Sequence, residues 1–394
     1  MSKNVLIVGG GIGGLTAALC LARSGHQVTV FERSSKVQDI GAGIQCGANA
    51  VRVLDHLGLR HQIEQVSVKP REIVFRDYLY GSPLYQVELG KKYEDKYGAP
   101  YFHIHRADLY AMLYEAAGAH SSVDVLTDSD VRDFEETSDQ VRVILSSGET
   151  FQGDLLIASD GIRSTIRKQI HSDKSAVYTG NVAWRATVAT NKLPADFMPT
   201  VTTNFVGPRK HMVLYYLRAG ELLNMVGVVE KQSHAGDSWK SKGDVRELQK
   251  DFSGWHPMVE TVIDSVERDQ CYQWALYDHR PINKWGTDRV VLLGDAAHAT
   301  LPFIASGAAM AIEDARILDR CLTECNSVKT AIKKYQFNRF DRTSKVQNIS
   351  RKFGKLYHIP NRLLLKTAFA GLRALGGKKE DFLPEYDANT IPLK

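Results

Sequence analysis

An apolar run, Val5-Leu6-Ile7-Val8, leads into Gly9-Gly10-Gly11-Ile12-Gly13-Gly14, and 23 residues after Gly9 an acid, Glu32, ends the run HQVTVFE. This is the spacing of a strand, a GxGxxG turn, a helix and a second strand with a carboxylate at its tip, the βαβ arrangement that holds a dinucleotide. Gly9 permits the tight turn, Gly11 lets backbone N–H groups approach a pyrophosphate, and Gly14 lets the helix pack on the strand. The helix N-terminus takes the phosphate charge, and Glu32 can accept ribose hydroxyls. A ligand with an ADP moiety is expected.

Two further strand ends carry acids. DLLIAS runs into Asp160-Gly161, and VVLL runs into Gly294-Asp295-Ala296-Ala297-His298, with Pro302 and a helix start near Gly307 behind it. Ligands of open α/β sheets bind outside the carboxyl ends of the strands, so the three motifs should face one crevice. A carboxylate repels pyrophosphate, so Asp295 suits the hydroxyls of a sugar chain and Asp160 a water-bridged or positioning role. His211 and Tyr215, four apart in HMVLYYLR, fall on one face of a strand. At ~3.3 Å per residue their Cα atoms lie about 13 Å apart, enough to flank one aromatic ring.

These residues need a scaffold. Helices are expected around Ala50–Leu57, Arg106–Gly118 and Gly307–Thr323, and strands across Glu72–Leu89, Asp124–Leu145, Thr150–Ala158 and Arg289–Leu293. Tyr178–Tyr277 is rich in long β-type runs and reads as an antiparallel sheet. Glu88–Gly98 and Gln232–Asp244 read as exposed loops. The expected fold is α/β, a Rossmann-like nucleotide domain assembled from residues 1–68, 100–177 and 278–360. A β-sheet substrate domain (69–99 and 178–277) is inserted into it, and a C-terminal helix and tail (361–394) follow.

The chain has 394 residues, long enough for two or three domains, with 43% apolar and 24% charged residues, the balance of a globular enzyme. Five scattered cysteines give no disulfide framework; Cys321 and Cys325 lack a nearby His or Cys partner, so no metal site is expected. A reduced, cytoplasmic compartment is the default. The Ala17–Ala22 run resembles a signal-peptide core, but cleavage would discard the glycine turn. No run of 18 apolar residues suggests a membrane span. From Lys329 to Lys379, fourteen Lys or Arg face one acid, Asp341. No nucleic-acid reader motif accompanies this block, so nucleic acid is not an expected partner. Leu363–Arg373 reads as a basic amphipathic helix, and docking on its own domain or on a partner subunit is favoured over a membrane surface. A monomer or homodimer is expected.

Together the GxGxxG, DG and GD motifs, spread over nearly the whole chain, resemble the single-component FAD-dependent aromatic hydroxylases, and within them the salicylate hydroxylase and 3-hydroxybenzoate 6-hydroxylase group. The matching stretches are RSSKVQDIGAGIQ, HIHRADL, ASDGIRSTIR, WRATV, FVGPRKHMVLYYLRAGELLNMV and GDAAHATLPFIASGAAMAIEDA. The resemblance implies FAD, NADH or NADPH as electron donor, O2, and a phenolic or hydroxylated heteroaromatic substrate under a β-sheet roof. Hydroxylation would proceed through a flavin C4a-hydroperoxide, with decarboxylation added for a salicylate-like substrate.

By motif, Gly9, Gly11, Gly14 and Glu32 would hold the ADP half, and Ile12, Gly13, Arg33, Gly43, Val131 and Asp160 would complete the cofactor set. Arg106 would bind the phosphate or ribityl side of the flavin and Asp295 the ribityl chain. Pro302 and the helix start at Gly307-Ala308 would face the isoalloxazine, where a helix N-terminus complements the anionic reduced ring. The resemblance makes His211 the base that deprotonates a phenol, since an imidazole of pKa ~6.5 can act on a group of pKa ~10 near neutral pH. Tyr215 and Phe303 would contact the substrate. His298 reads as structural, and His103 and His105 are unassigned.

Departures are local: Ser159 stands for a Gly, Gly47-Ala48-Asn49 for Ser-Pro-Asn, and Ser306 for a Gln. Pro302 and Phe303 stand where some relatives place Gln or His, which weakens the case for a small carboxylate substrate. Two rival readings are a flavin epoxidase or oxidase acting on a lipophilic ring, such as an alkylquinolone or isoprenoid aromatic, and a non-enzymatic flavoprotein scaffold.

Overall fold

The computed structural model describes residues 2–35, 43–171, 176–232, 241–374 and 381–394. The nucleotide unit is β1 (Asn4–Val8), α1 (Ile12–Arg23) and β2 (Gln27–Phe31). It is followed by β3 (Gly43–Cys46), α2 (Ala48–His56), α3 (Arg60–Val66), β4 (Glu72–Asp77), β5 (Pro83–Glu88) and α4 (Lys91–Tyr97). Next come β6 (Phe102–His105), α5 (Arg106–Gly118), β7 (Val123–Leu126), β8 (Val131–Glu136), β9 (Val141–Leu145), β10 (Thr150–Gly153), β11 (Leu155–Ala158) and α6 (Thr165–Ile170). The long strands β12 (Val177–Ala189), β13 (Thr202–Gly207), β14 (Lys210–Leu217) and β15 (Leu222–Glu230) precede α7 (Val245–Asp251), α8 (Pro257–Asp264) and β16 (Tyr272–Asp278). The chain ends with β17 (Val290–Leu292), α9 (Asp295–His298), α10 (Gly307–Glu324), α11 (Val328–Tyr357) and α12 (Arg362–Ala374).

Two sheets position the site. The first is parallel, in the order β17-β11-β1-β2-β7. Its strands β17, β11 and β1 are apolar runs buried on both faces, as a sheet covered by helices requires. Leu292, Ala158 and Val8 lie side by side in register. The Gly294-Asp295, Asp160-Gly161 and Gly9–Gly14 turns therefore leave the sheet from three adjacent strand ends on one edge, as the motif argument requires. A small antiparallel sheet, β10-β9-β8, flanks it.

The second sheet has seven strands, in the order β16-β12-β15-β14-β13-β4-β5. The expected antiparallel sheet is present with one parallel pair, β4 with β13, where two segments far apart in sequence join. Its outer face packs Trp184, Phe205, Met212 and Leu214 against Phe252 and Val259 of the α7–α8 region, helices that the β-rich texture of the segment did not suggest. Its inner face carries Ala183, Val206 and Val228, packed with Phe303, Tyr357, Leu365 and Phe369.

The segment Glu88–Gly98, expected as a loop, instead holds α4. Five of its seven residues are charged, which hid a helix anchored by one buried ring: Tyr93 packs on Tyr97 at 4.7 Å and Tyr101 at 5.9 Å. Residues 233–240 of the other expected loop lie outside the described residues, as do 36–42 of the RSSKVQDIGAGIQ stretch.

The basic block forms α11 and α12. The buried residues of α11, among them Val328, Tyr335, Arg339, Val346 and Tyr357, recur at helical spacing over its 30 residues. Acids from outside the block neutralise much of its charge. Arg339 pairs with Glu313 and Asp314, Arg342 with Glu313, Arg351 with Asp278, and Arg362 with Asp77. The α12 helix docks Leu365 and Phe369 on the β4–β5 hairpin, with Phe369 and Phe75 5.5 Å apart, and leaves Leu363 and Leu364 exposed. Among the described residues no helix is long and apolar enough to cross a membrane.

Candidate active site

The glycine turn is shaped for a phosphate. Gly9 has φ +98°, and a Cβ on Gly14 would sit 2.0 Å from the Gly9 carbonyl oxygen, so neither position tolerates a side chain. A Cβ on Gly11 would meet nothing within 4 Å: the loop is closed toward the sheet and open outward. Gly11 also caps α1 with no side chain hydrogen-bonding its first turn, which leaves those N–H groups for an anion. Gly13 packs against Leu293 and Ala311, and Ile12 is buried.

Glu32 lies beside this turn. Gly10 N–H donates to its Oε2 (2.9 Å) and Ser34 N–H to its Oε1 (2.8 Å). The carboxylate is thus fixed, and each oxygen keeps a lone pair for a sugar hydroxyl. Arg33 is exposed next to it. Ser129 N–H donates to the Glu32 carbonyl (2.9 Å), which brings the start of β8 and the buried Val131 to the same strand end.

Asp160 follows β11 and is tied to the start of the next helix. Its Oδ2 accepts from Thr165 N–H (2.8 Å) at the start of α6, and its Oδ1 is buried without a hydrogen-bond partner. Burial raises its pKa. His298 is structural, as expected: its Nε2 lies 2.5 Å from Asp314 Oδ2, which also accepts from Gly294 N–H (3.0 Å).

In the middle of the crevice Arg106, the first residue of α5, faces Asp295, the first residue of α9. Burial lowers the Arg106 pKa, while Asp295, Tyr110 and Glu32 push it back up. Burial raises the Asp295 pKa against the pull of His298 and Arg106. Although surrounded by protein, Asp295 keeps accessible surface, the condition of a group lining a deep cleft. Its Oδ1 lies 3.9 Å from where a Cβ on Gly307 would be. There the first turn of α10 starts without a side-chain cap, and Gly307 and Ala308 are partly accessible. Pro302 is exposed in front of them. A backbone open at Gly11, a fixed Glu32, an arginine and an aspartate within electrostatic reach of each other and a bare helix end fit the diphosphate, the sugar hydroxyls and the anionic ring of a reduced flavin.

Sheet register defines the roof. His211, Val213 and Tyr215 alternate onto the inner face of β14, and their partners on β15 are Val228, Val226 and Asn224. Val226 pairs in turn with Arg185 of β12. His211 and Tyr215 therefore share one face, as expected. The Tyr215 ring lies over Gly43, where a Cβ would come within 2.4 Å of it, and 4.4 Å from the His103 ring. Gly43 N–H donates to Asn224 Oδ1 (2.9 Å), so Gly43 joins the nucleotide layer to the roof. Phe303 packs on Gly354 of α11 with its ring 5.4 Å from His211.

One expectation changes here. His211 does not keep an ordinary imidazole pKa: burial and the neighbouring His358 hold it well below 6.5. It is neutral at physiological pH and available as an acceptor.

Sequence reasoning left three residues in and around the roof without a role: Arg185 of β12, His103 of β6 and His358 at the end of α11. Arg185 lies between Trp184 and Ala186, and an arginine in an apolar strand was a signal that could have been read. Its guanidinium lies 4.9 Å over the Trp274 ring, its Nε is buried without a hydrogen-bond partner, and burial lowers its pKa to about 10. His103, left unassigned, accepts or donates at Nε2 with Thr202 (2.7 Å) and leaves Nδ1 buried and unpartnered. His358 lies 147 residues from His211 and had no sequence signal; its Nε2 is 2.8 Å from His211 Nδ1.

These histidines make the fold acid-sensitive. Burial lowers the His103 pKa to about 3 and the His358 pKa to about 4, and holds His211 well below 6.5. Between those values and ~6.5 the unfolded chain binds protons that the folded chain does not, so stability falls as pH drops through that window. The slope reaches about 1.4 kcal/mol per pH unit for each histidine. The melting temperature should therefore fall between pH 7 and pH 5, and a flat profile would contradict these environments.

Residues 2–349 match the FAD binding domain family. The chain is 36% identical over 357 residues to 3-hydroxybenzoate 6-hydroxylase of Klebsiella oxytoca, covering 90% of this chain and 89% of that one. It is 34% identical over 356 residues to 6-hydroxynicotinate 3-monooxygenase of Pseudomonas fluorescens, covering 89% and 90%. The crystal structure of Klebsiella pneumoniae HpxO complexed with FAD and uric acid superposes with a TM-score of 0.85 at 27% identity, covering 97% of this chain and 96% of that one.

Proposed function

We propose, from the premise that this chain belongs to the FAD binding domain family and within it to the single-component FAD-dependent aromatic hydroxylases, that it hydroxylates a phenolic or hydroxylated heteroaromatic acid at the expense of NADH or NADPH and O2. When bound, FAD would pass electrons from the nicotinamide to O2 and so activate it. The glycine turn and Glu32 would hold the ADP half, Arg106 and Asp295 the middle of the cofactor, and the start of α10 would complement its reduced ring. His211 accepts the phenol proton, Tyr215 donates a hydrogen bond to the substrate, and Phe303 and Val213 pack on its ring.

The observation that carries this reading is the inner face of the roof, which sets His211 and Tyr215 at two ends of an apolar strip with Arg185 beside it. The buried, unpartnered Arg185 Nε favours a substrate with a negative charge, since an anion would satisfy it. It answers the weakness noted at Pro302 and Phe303 and weighs against a lipophilic ring.

The test is to purify the protein with its flavin and measure NADH and NADPH oxidation with 3-hydroxybenzoate, 6-hydroxynicotinate and uncharged phenols, tracing 18O2 into product. The flavin should leave with the solvent on denaturation. Stimulation by uncharged phenols alone, or 18O appearing only in peroxide, would overturn the reading. Because acids of the protein itself pair with Arg339, Arg342, Arg351 and Arg362, and α12 docks its Leu365 and Phe369 on the sheet, we also expect no salt-sensitive co-sedimentation with anionic vesicles; adsorption at low salt that disappears at high salt would show α12 to be a membrane contact.

A further inference from the structure

His211 is the buried end of a chain of three groups. Its Nδ1 lies 2.8 Å from His358 Nε2, and His358 Nδ1 lies 3.2 Å from Glu230 Oε1. Exposure rises along the chain: His211 and His358 are buried, whereas the Glu230 side chain is 43% accessible. The outer members are fixed by backbone. Arg209 N–H, in the turn between β13 and β14, donates to the His358 carbonyl (3.2 Å), and Glu230 N–H donates to the Arg209 carbonyl (3.0 Å). Two roof strands and the end of α11 thus meet at this point.

The acceptor at the outer end sets every tautomer. An ionised carboxylate only accepts, so His358 Nδ1 carries the proton that faces Glu230. The Nε2 of a neutral His358 is then a lone pair, so His211 Nδ1 must be the donor between the two rings. That leaves the lone pair of His211 on Nε2, the nitrogen free for a substrate. Asp77, on the strand two places from β14, is already paired with Arg362, and Tyr357 lies beside the His211 ring without supplying a charge.

We propose that His358 and Glu230 are positioning residues that fix His211 as a base at Nε2 and carry its proton to solvent. The proposal rests on the hydroxylase reading above. The transfer balances without any redox partner. The substrate O–H proton goes to His211 Nε2, the Nδ1 proton of His211 goes to His358 Nε2, and the Nδ1 proton of His358 goes to Glu230 and then to water. The substrate oxygen keeps the electron pair as a phenolate. When product oxygen is reprotonated, one proton returns along the same path and restores both tautomers. The relay resolves a difficulty of the site: an imidazole held neutral by burial cannot store a proton and must pass it on.

Two measurements on the flavin-bound protein test this. The first needs no substrate. 15N NMR of the histidine rings, assigned with the His358→Gln and Glu230→Gln variants, should find His211 protonated on Nδ1 and bare on Nε2. The opposite tautomer would overturn the proposal whatever the enzyme acts on. The second uses 3-hydroxybenzoate, or whichever phenol of the panel is hydroxylated. Glu230→Gln and His358→Gln should bind FAD as the parent does and lower kcat at least tenfold with KM changed less than threefold, and Glu230→Asp should recover part of the loss. Parent kcat in both Gln variants would refute the relay. If no phenol in the panel is hydroxylated, the functional reading fails while the tautomer result still decides the network.

Discussion

Asp295→Ala is expected to weaken FAD binding tenfold or more while leaving the fold intact. A charged hydrogen bond contributes ~1.5–3 kcal/mol, and about 1.4 kcal/mol is a factor of ten in affinity. The fold should survive because, among the described residues, no hydrogen bond ties the Asp295 side chain to the protein. Asp314 is the contrasting case. It accepts from Gly294 N–H, His298 and Arg339, so Asp314→Ala would leave Glu313 as the only carboxylate on the buried Arg339, take the acceptor from Gly294 N–H, and cost about 1–3 kcal/mol of stability. Titrating apoprotein with FAD and recording thermal denaturation would separate the two. An Asp295→Ala protein with parent FAD affinity would mean that the GD turn does not face the cofactor.

The difference between these two aspartates also marks what the sequence discloses. Asp295 was legible because it ends a buried parallel strand, and strand ends of such a sheet share one edge by topology. The βαβ unit, the boundaries of α5 and α10 and the shared face of His211 and Tyr215 were legible for similar local reasons: a period of 3.6 or 2 and a glycine pattern. Asp314 sits in the interior of α10, and nothing in the spacing shows that its partners are Gly294 and His298 at the two ends of α9 and Arg339 of α11. The relay partner His358 is in the same position, since pairing across 147 residues leaves no trace in spacing. The helix α4 was hidden by its charge, and the length of α11 by a composition that looked like a basic surface until its arginines found buried acids. The altered pKa of His211 follows from burial, which is a property of the packed roof and not of the strand pattern that located the residue.

His211→Ala should then abolish productive chemistry without emptying the site. Its ring contacts are Phe303, Tyr357 and His358, and none of the groups fitted to FAD is among them. General-base catalysis contributes ~10²–10⁴, so hydroxylation of a phenolic substrate at neutral pH should fall by about that factor. FAD should remain bound, and NAD(P)H oxidation should continue with its oxygen released as hydrogen peroxide, because a neutral phenol is too electron-poor to be attacked efficiently. Raising the pH toward the phenol pKa of ~10 should restore part of the activity, since water then delivers the phenolate that the imidazole no longer makes. The pH dependence separates this role from a packing role. A cavity beside Phe303 would lower activity at every pH, whereas a missing base is replaced as hydroxide rises. Parent rate and parent coupling at neutral pH in His211→Ala would remove His211 from the mechanism. Tyr215 and His103, whose rings lie 4.4 Å apart at the other end of the strip, would then be the groups to vary next.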